Sequence, residues 1–274
     1  MRAATRRGTP CDCGIEFAGM SRVERLAGWM RQQLVSSGSH GFVVGLSGGV
    51  DSAVVLRLAQ LAAPRATLGL ILPCHSDPQD ECDAAAIAER FGAPTRRIDL
   101  SHVYDEAISA LRPAIAEPGP GAALAASGAD ALRARLALAN VKPRLRMTAL
   151  YFAANSLHYL VAGGGNRSEL AIGYFTKYGD GGADLLPIGR LVKREVRALA
   201  RDLGVPEAIL DRPPSAGLWI GQRDEDDMGF TYDELERYLD EGPQAVAPAL
   251  AMKIERLMRS SEHKRQLAAM PDAE

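Results

Sequence analysis

Cysteine is scarce. The four in this chain of 274 residues, Cys11, Cys13, Cys74 and Cys82, are too few for a disulfide framework at this size. Long apolar runs are missing as well. Nothing approaches the ~20 consecutive apolar residues of a membrane-spanning helix, so no membrane association is expected. A charge of one sign is also lacking. Lys and Arg number 32 against 34 Asp and Glu, a formal net charge of −2, which excludes a strongly basic nucleic-acid binder and leaves room only for a local basic patch. Arg2, Arg6 and Arg7 open the chain without an apolar stretch behind them, so they do not form a signal peptide. No internal repeat is visible. What remains is a globular balance of 47% hydrophobic and 24% charged residues, enough to bury a core without a metal or disulfide staple. A cytoplasmic enzyme or nucleotide binder is the expectation.

Residues 1–20 show no periodicity and read as a tail. Ser21 stands three residues before Glu24, the spacing of a capping box, and opens a helix to about Ser37. Phe42 to Leu46 is a short apolar run rich in β-branched residues, the pattern of a buried strand. Alternation then continues: helix Asp51–Ala63, strand Thr67–Leu72, helix Asp83–Phe91, strand Thr95–Leu100, helix Val103–Leu111. Residues 117–130, rich in Gly, Ala, Pro and Ser, read as a mobile surface loop. Ala131–Ser156 is mostly helical with a break at Pro143, and Tyr159–Ala162 is a strand running into three glycines. Helices are expected at Gly189–Leu203, Asp233–Leu239 and Pro248–Met258. The polar stretch 213–229 is long for a compact domain and is a candidate lid. Residues 266–274 read as a second tail. Strands alternating with helices indicate an α/β fold, a doubly wound parallel sheet flanked by helices, in a single domain over 21–265.

The segment that carries chemistry is Gly45-Leu46-Ser47-Gly48-Gly49-Val50-Asp51-Ser52. Adjacent glycines let a backbone turn tightly and bring its N–H groups against an anion. Ser47 and Ser52 add hydroxyl donors, and the following helix aims its positive end at the same point. Such a turn holds phosphates, and Asp51 beside it can hold Mg²⁺ through a carboxylate oxygen. It is not a Walker loop, since no Lys follows the second glycine. The plainer reading, a glycine-rich turn with Asp51 as a cap, is disfavoured by the rarity of the string.

The string resembles the pyrophosphate-binding loop of N-type ATP pyrophosphatases, which cleave ATP between its α- and β-phosphates and adenylate a substrate. The second half of the chain narrows the resemblance. Asn166-Arg167-Ser168-Glu169, Gly173-Tyr174-Phe175-Thr176-Lys177-Tyr178-Gly179-Asp180-Gly181-Gly182-Ala183-Asp184, Leu191-Val192-Lys193, Pro214-Ser215-Ala216 and Glu262-His263-Lys264-Arg265 look like the signature of ammonia-dependent NAD synthetases. The resemblance spans about Ser21 to Arg265. It implies an adenine nucleotide alpha hydrolase-like fold and the amidation of nicotinic acid adenine dinucleotide (deamido-NAD) by ammonia. It implies ATP as co-substrate and AMP and pyrophosphate as products. It also implies ATP contacts from Gly45 to Ser52, Gly164, Lys193 and Ser215, and dinucleotide contacts at Arg144, Lys177, Asp184, His263 and Lys264. Asp51 and Glu169 are the implied Mg²⁺ ligands, and no covalent nucleophile is required. The family is homodimeric, so a homodimer is expected, with contacts in the helices after Asp130 and near the C-terminus. No glutaminase domain is recognisable, which leaves ammonia to come from solution or from a separate donor protein.

Two positions depart from the family pattern: Gly164 stands where a Thr usually meets ATP, and Gly217 where an Asp is usual. Two alternatives stay open at this point. One is a related adenylating ligase acting on another carboxylate. The other is a non-catalytic nucleotide-binding relative. Cys11, Cys13 and the Cys74–His75 pair lack a completing ligand set, so no structural zinc is expected. Of the acidic run Asp224 to Asp227, only Asp224 and Glu225 are kept as lid contacts, because such runs are usually solvated.

Overall fold

The computed structural model describes residues 19–116 and 128–271. The tail expected over 1–20, all but its last two residues, lies outside the described residues, as do Cys11, Cys13, most of the 117–130 loop and the end of the 266–274 tail.

Helix α1 (Arg22–Ser37) begins as its capping box requires: Glu24 N–H donates to Ser21 Oγ at 3.2 Å, and Ser21 N–H to Glu24 Oε2 at 2.7 Å. Strand β1 (Phe42–Leu46), α2 (Val50–Ala62), β2 (Thr67–Ile71), α3 (Pro78–Phe91), β3 (Thr95–Arg97) and α4 (Ser101–Leu111) follow in alternation. Helix α3 starts ahead of the expected Asp83. Asp77 caps it, accepting from Gln79 N–H at 2.9 Å, and Pro78 fits the first turn, where no backbone donor is needed. Strand β3 ends before Leu100, because Leu100 already serves as the N-cap of α4.

A short α5 (Pro113–Ala116) precedes the undescribed loop, and α6 (Gly128–Ala139) and α7 (Val141–Leu157) follow it. The 117–130 loop is therefore shorter than expected: residues 128–130 are helical, as the helix-favouring alanines on either side of Asp130 allow. The break before α7 falls at Asn140 rather than Pro143. Pro143 lies in the first turn of α7, where its missing N–H would have had no helical partner. Then come β4 (Leu160–Ala162), α8 (Arg167–Ile172), α9 (Lys193–Asp202), α10 (Glu207–Leu210), α11 (Asp224–Met228), α12 (Tyr232–Glu241) and α13 (Pro248–Ser260). Helix α9 starts later than the expected Gly189, because the carbonyl of Leu191 is taken by Arg167 N–H at 2.8 Å. The 213–229 stretch is not loop throughout, since α11 lies inside it.

The four strands form one parallel sheet in the order β3-β2-β1-β4. Phe42–Leu46 pairs in register with Thr67–Ile71, and Phe42–Val44 pairs on its other edge with Leu160–Ala162. Successive β1 side chains point to opposite faces. Val44 joins Met30, Val54, Ile87 and Val196 in the core under α1, α2, α3 and α9. Val43 joins Leu70, Ala154 and Val161 in the core under α7. A third cluster, with Ile172, Phe230, Tyr232, Leu235 and Ile254, ties α8, α12 and α13 together. The sheet is thus covered on both faces. Its strand order reverses between β1 and β4, and the carboxyl ends of two such strands open the crevice where α/β sheets bind ligands.

Candidate active site

The Ser47–Ser52 turn lies at that reversal. Its parts hold one another: Ser52 Oγ donates to Gly49 O at 2.9 Å and accepts from Ser47 N–H at 3.3 Å, with the two hydroxyls 3.2 Å apart. Gly48 takes a left-handed φ of +82°, and a Cβ there would fall 2.4 Å from the carbonyl oxygen of Asp80 in α3. The turn is therefore pressed against α3 and tolerates only glycine. Gly45 and Leu46 belong to β1, and Val50, Asp51 and Ser52 form the first turn of α2. Gly164 arrives from β4 directly opposite. A Cβ on it would sit 3.7 Å from Asp51 Cβ, in ordinary contact. The sequence-expected phosphate residues from β1, α2 and β4 are brought together.

Asp51, Glu169 and Lys193 come from three elements and meet beside this turn. Lys193, only 4% exposed, donates to Asp51 Oδ2 and, at 3.3 Å, to Glu169 Oε1. Asn166 Nδ2 donates to Asp51 Oδ1 at 3.3 Å. Asn166 is also the N-cap of α8, in a capping box with Glu169. Asn166 was not singled out as a site residue, although the Asn-x-x-Glu spacing is a readable helix-start signal. Burial pushes the Glu169 carboxyl up to about 7 against the pull of Lys193. Burial by itself would lower the Lys193 amine, but Asp51 and then Glu169 outweigh it and hold the amine above its usual value. Two carboxylate oxygens converging on one cation also suit a hard divalent ion, which needs only one or two protein carboxylates when phosphates and water supply the rest. Among the described residues no group of three or more His, Cys, Asp and Glu forms an all-protein metal cage.

The expected lid segment is anchored. Asp224, 3% exposed, accepts from the Tyr232 hydroxyl at 2.8 Å, and Asp227 accepts from the Tyr174 hydroxyl at 2.8 Å and Gln222 Nε2 at 2.7 Å. Glu225 Oε1 accepts from Tyr232 N–H at 2.9 Å. Three members of the acidic run are thus hydrogen-bonded: the two kept as lid contacts, and Asp227, which stays exposed to solvent as expected but is tied down all the same. Burial pushes the Asp224 carboxyl up, opposed by Tyr232 and Lys193. Ser215 lines a cleft with Asp80, Arg212 and Gly217, where its Oγ accepts from Gly217 N–H at 3.1 Å. Gly217 takes a φ of +61°, and Asp80 Oδ2 would lie 3.8 Å from a Cβ there. An Asp at 217 would be strained and would face a second carboxylate, so this departure is built into the backbone.

Of the expected dinucleotide residues, four form a second group. Arg144 Nη2 donates to Lys177 O at 3.4 Å, and Lys177 Nζ donates to His263 O. Lys264 Nζ donates to Gly173 O at 2.7 Å and Phe175 O at 2.8 Å, which clamps the start of the Gly173–Asp184 loop. Burial lowers the Lys264 amine. Asp184 stands apart, accepting from Val161 N–H at 2.8 Å and from the Tyr151 hydroxyl at 3.0 Å. Tyr151 and Arg144 lie on the same helix, α7. Arg146, the other arginine of that stretch, is drawn in to Leu72 O at 3.0 Å and Ser76 Oγ at 3.0 Å rather than exposed.

A family model described as NAD synthase matches residues 22–268. The NH(3)-dependent NAD(+) synthetase of Carboxydothermus hydrogenoformans is 47% identical over 251 residues, 91% of this chain and 96% of that protein. Among solved structures, the NMN synthetase of Francisella tularensis superposes with a TM-score of 0.81 at 36% identity, over 92% of this chain and 98% of that one. The NAD+ synthetase of Burkholderia pseudomallei gives 0.70 at 32% identity, over 89% and 88%. The sheet described above is therefore of the adenine nucleotide alpha hydrolase-like kind. No helix among the described residues is long and apolar enough to cross a membrane.

Proposed function

This chain belongs to the NAD synthase family, and from that premise we propose that it is an ammonia-dependent ligase converting deamido-NAD to NAD with ATP. The observation that carries the reading is the convergence of Asp51, Glu169 and Lys193 beside the Ser47–Ser52 turn. A carboxylate cannot be amidated directly, because oxide would have to leave. Its oxygen attacks the α-phosphorus of ATP, pyrophosphate departs toward the turn, and an acyl adenylate remains. Ammonia then attacks the acyl carbon, AMP leaves with the electron pair, and the ammonia nitrogen gives up a proton. None of these steps needs a covalent nucleophile from the protein. Positioning and electrostatics do the work.

The turn from Gly45 to Ser52 holds the pyrophosphate end of ATP through its N–H groups and the positive end of α2. Lys193 meets the phosphates as a point charge, and Gly164 and Ser215 border the rest of the nucleotide. Asp51 and Glu169 hold Mg²⁺, whose donor requirement they fit. When bound, that ion neutralises charge developing on the phosphate oxygens. Arg144, Lys177, Asp184, His263 and Lys264 hold the dinucleotide, a role supported for Arg144, Lys177, His263 and Lys264 by the contacts that join them. The protein works as a cytoplasmic homodimer supplied with ammonia from solution or a separate donor. Support for the dimer comes from apolar side chains left exposed on α7, with Phe152 74% and Leu157 44% exposed. Sedimentation of Phe152→Glu should show monomer; an unchanged dimer would move the interface elsewhere.

One observation favours a second substrate. The backbone superposes better on the Francisella NMN synthetase than on the Burkholderia NAD+ synthetase, and the mononucleotide offers the same nicotinate carboxylate. Pyrophosphate release at saturating ammonium, measured with deamido-NAD, with nicotinic acid mononucleotide and with neither, decides between them. Release that requires deamido-NAD, with NAD in equal amount, upholds the proposal. A higher kcat/KM for the mononucleotide would replace it. ATP binding without release for any acceptor would mark a non-catalytic nucleotide binder.

A further inference from the structure

Asp224 is a buried charge that the chemistry above leaves without a task. Its Oδ2 is held by the Tyr232 hydroxyl, but Oδ1 is buried without a hydrogen-bond partner. The Tyr174 hydroxyl also lies within hydrogen-bonding range of Asp224. It has a single proton, however, and donates it to Asp227 Oδ2 at 2.8 Å. A buried carboxylate oxygen without a donor is costly and calls for a partner in some other state of the molecule. Lys193 is the cation that shares this neighbourhood. Its Nζ lies 5.4 Å from the centre of the Tyr232 ring, and Lys193 and Asp224 act on each other electrostatically.

In the described state Asp51 and Glu169 hold the Lys193 ammonium. These are the two carboxylates assigned to Mg²⁺, and a divalent ion brought to them repels an ammonium already there. We propose that Asp224 is a positioning residue for Lys193: its free Oδ1 receives the ammonium when Mg²⁺ and ATP claim Asp51 and Glu169, and so keeps the amine beside the phosphates. The inference rests on the Mg²⁺ assignment above. Because Asp224 opens α11, inside the 213–229 segment, the transfer also couples that segment to the nucleotide.

The test needs a readout other than turnover, and the lid segment supplies one. Trp219 lies in it, with the Arg135 guanidinium 4.0 Å over its ring, and Trp29 is the other of only two tryptophans. Trp29→Phe therefore gives a single fluorescent reporter. In that background α,β-methylene-ATP, which resists cleavage at the bond concerned, is titrated with and without Mg²⁺. Four proteins are compared: the parent, Asp224→Asn, Lys193→Gln, and the two changes combined. With Mg²⁺, Asp224→Asn should weaken binding about tenfold where Lys193 is present and less than about twofold where it is Gln. Without Mg²⁺ it should change little. Equal losses in both backgrounds would make Asp224 a metal ligand or a background charge and overturn the proposal, as would no loss at all. A lowered Tm with unchanged Mg²⁺ dependence would show a merely structural role and overturn it too. If Mg²⁺ fails to tighten nucleotide binding to the parent, the metal assignment itself falls and this inference with it. Should Asp224→Asn fail to fold, Tyr232→Phe, which releases Oδ2 and lets the carboxylate turn, goes through the same comparison.

Discussion

Replacing Lys193 with methionine tests the charge balance of the site. Met keeps the apolar stem and deletes the ammonium, leaving Asp51 and Glu169 to face each other where Lys193 was 4% exposed. Removing one partner of a buried ion pair costs ~3–5 kcal/mol. Here the cost depends on pH. Burial holds Glu169 at about 7 even against the pull of Lys193, so losing that pull moves it higher. A carboxyl whose folded value lies above its unfolded value, 4.5 for Glu, takes up a proton on folding. Stability then falls as pH rises through the gap. In the parent that fall ends near about 7, whereas in the variant it continues above. Near pH ~5, with Glu169 protonated in both folded proteins, only the lost Asp51–Lys193 pair separates variant from parent, so the difference should be smaller than at higher pH. By pH ~8 the difference should reach ~3 kcal/mol, which for a chain of this size lowers Tm by about 6–12 °C. Calorimetric scans in EDTA at the two pH values measure it, and Mg²⁺ with ATP should recover part of the loss at the higher pH. A variant Tm within ~2 °C of the parent at pH ~8, or a difference that fails to widen with pH, would refute the reasoning.

Asp51→Ala should lower the rate of NAD formation by at least ~100-fold, measured with excess Mg²⁺; near-parental turnover would remove Asp51 from the metal assignment. Gly48→Ala puts a Cβ 2.4 Å from the Asp80 carbonyl oxygen at a φ of +82°, so Tm should drop and the KM for ATP should rise, with an unchanged KM counting against a phosphate role for the turn. Lys177→Ala should raise the KM for deamido-NAD by about tenfold while leaving that for ATP within about twofold, and equal changes in both would detach Lys177 from the dinucleotide. Gly164→Thr has room, since the nearest atom to its Cβ is Asp51 Cβ at 3.7 Å. The added hydroxyl should tighten ATP binding several-fold, worth ~1 kcal/mol, as calorimetric titration would show; weaker binding would mean that Gly164 is needed for close approach.

Much of the fold was legible because its signals are local. The β-branched run at Phe42–Leu46, the glycine pair behind it and the Ser21–Glu24 box each act within a few residues, and the structure places strand, turn and cap there. Elements went astray where a distant group decides. Arg167 takes the Leu191 carbonyl and delays α9, a contact that no periodicity near Gly189 announces. The acidic run 224–227 carries the composition of a solvated stretch, yet Tyr232 and Tyr174 reach in from neighbouring elements and bind three of its four members. At the site, the residue types of the Ser47–Ser52 turn picked out Asp51, whereas Glu169 and Lys193 came only from the resemblance to the NAD synthetase signature. That the lysine stands between both carboxylates depends on the β1–β4 reversal, which is a property of sheet order rather than of any one segment.

The position of Lys193 also runs against local helix electrostatics. It is the first residue of α9, followed by Arg194, and cations at a helix N-terminus face its positive end, an arrangement unfavourable by ~0.3–1 kcal/mol each. Arg194 escapes outward to Glu236, at 2.9 Å, and Asp240. Lys193 is turned inward and has no such exit. Glu195 supplies the negative charge that the helix start wants, accepting from Val192 N–H at 3.1 Å. The ammonium is therefore held by carboxylates from α2 and α8, with the Tyr232 ring of α12 5.4 Å away, against its own helix. Local rules are broken in this way chiefly at functional sites. A cation whose two ion-pair partners are carboxylates that a metal can claim is one whose position can change when the metal arrives. Asp224 keeps a free oxygen at the start of α11, within the electrostatic reach of that same amine. The two irregularities, a cation at the wrong end of one helix and an unsatisfied carboxylate opening another, then have a single explanation in the exchange of partners between them.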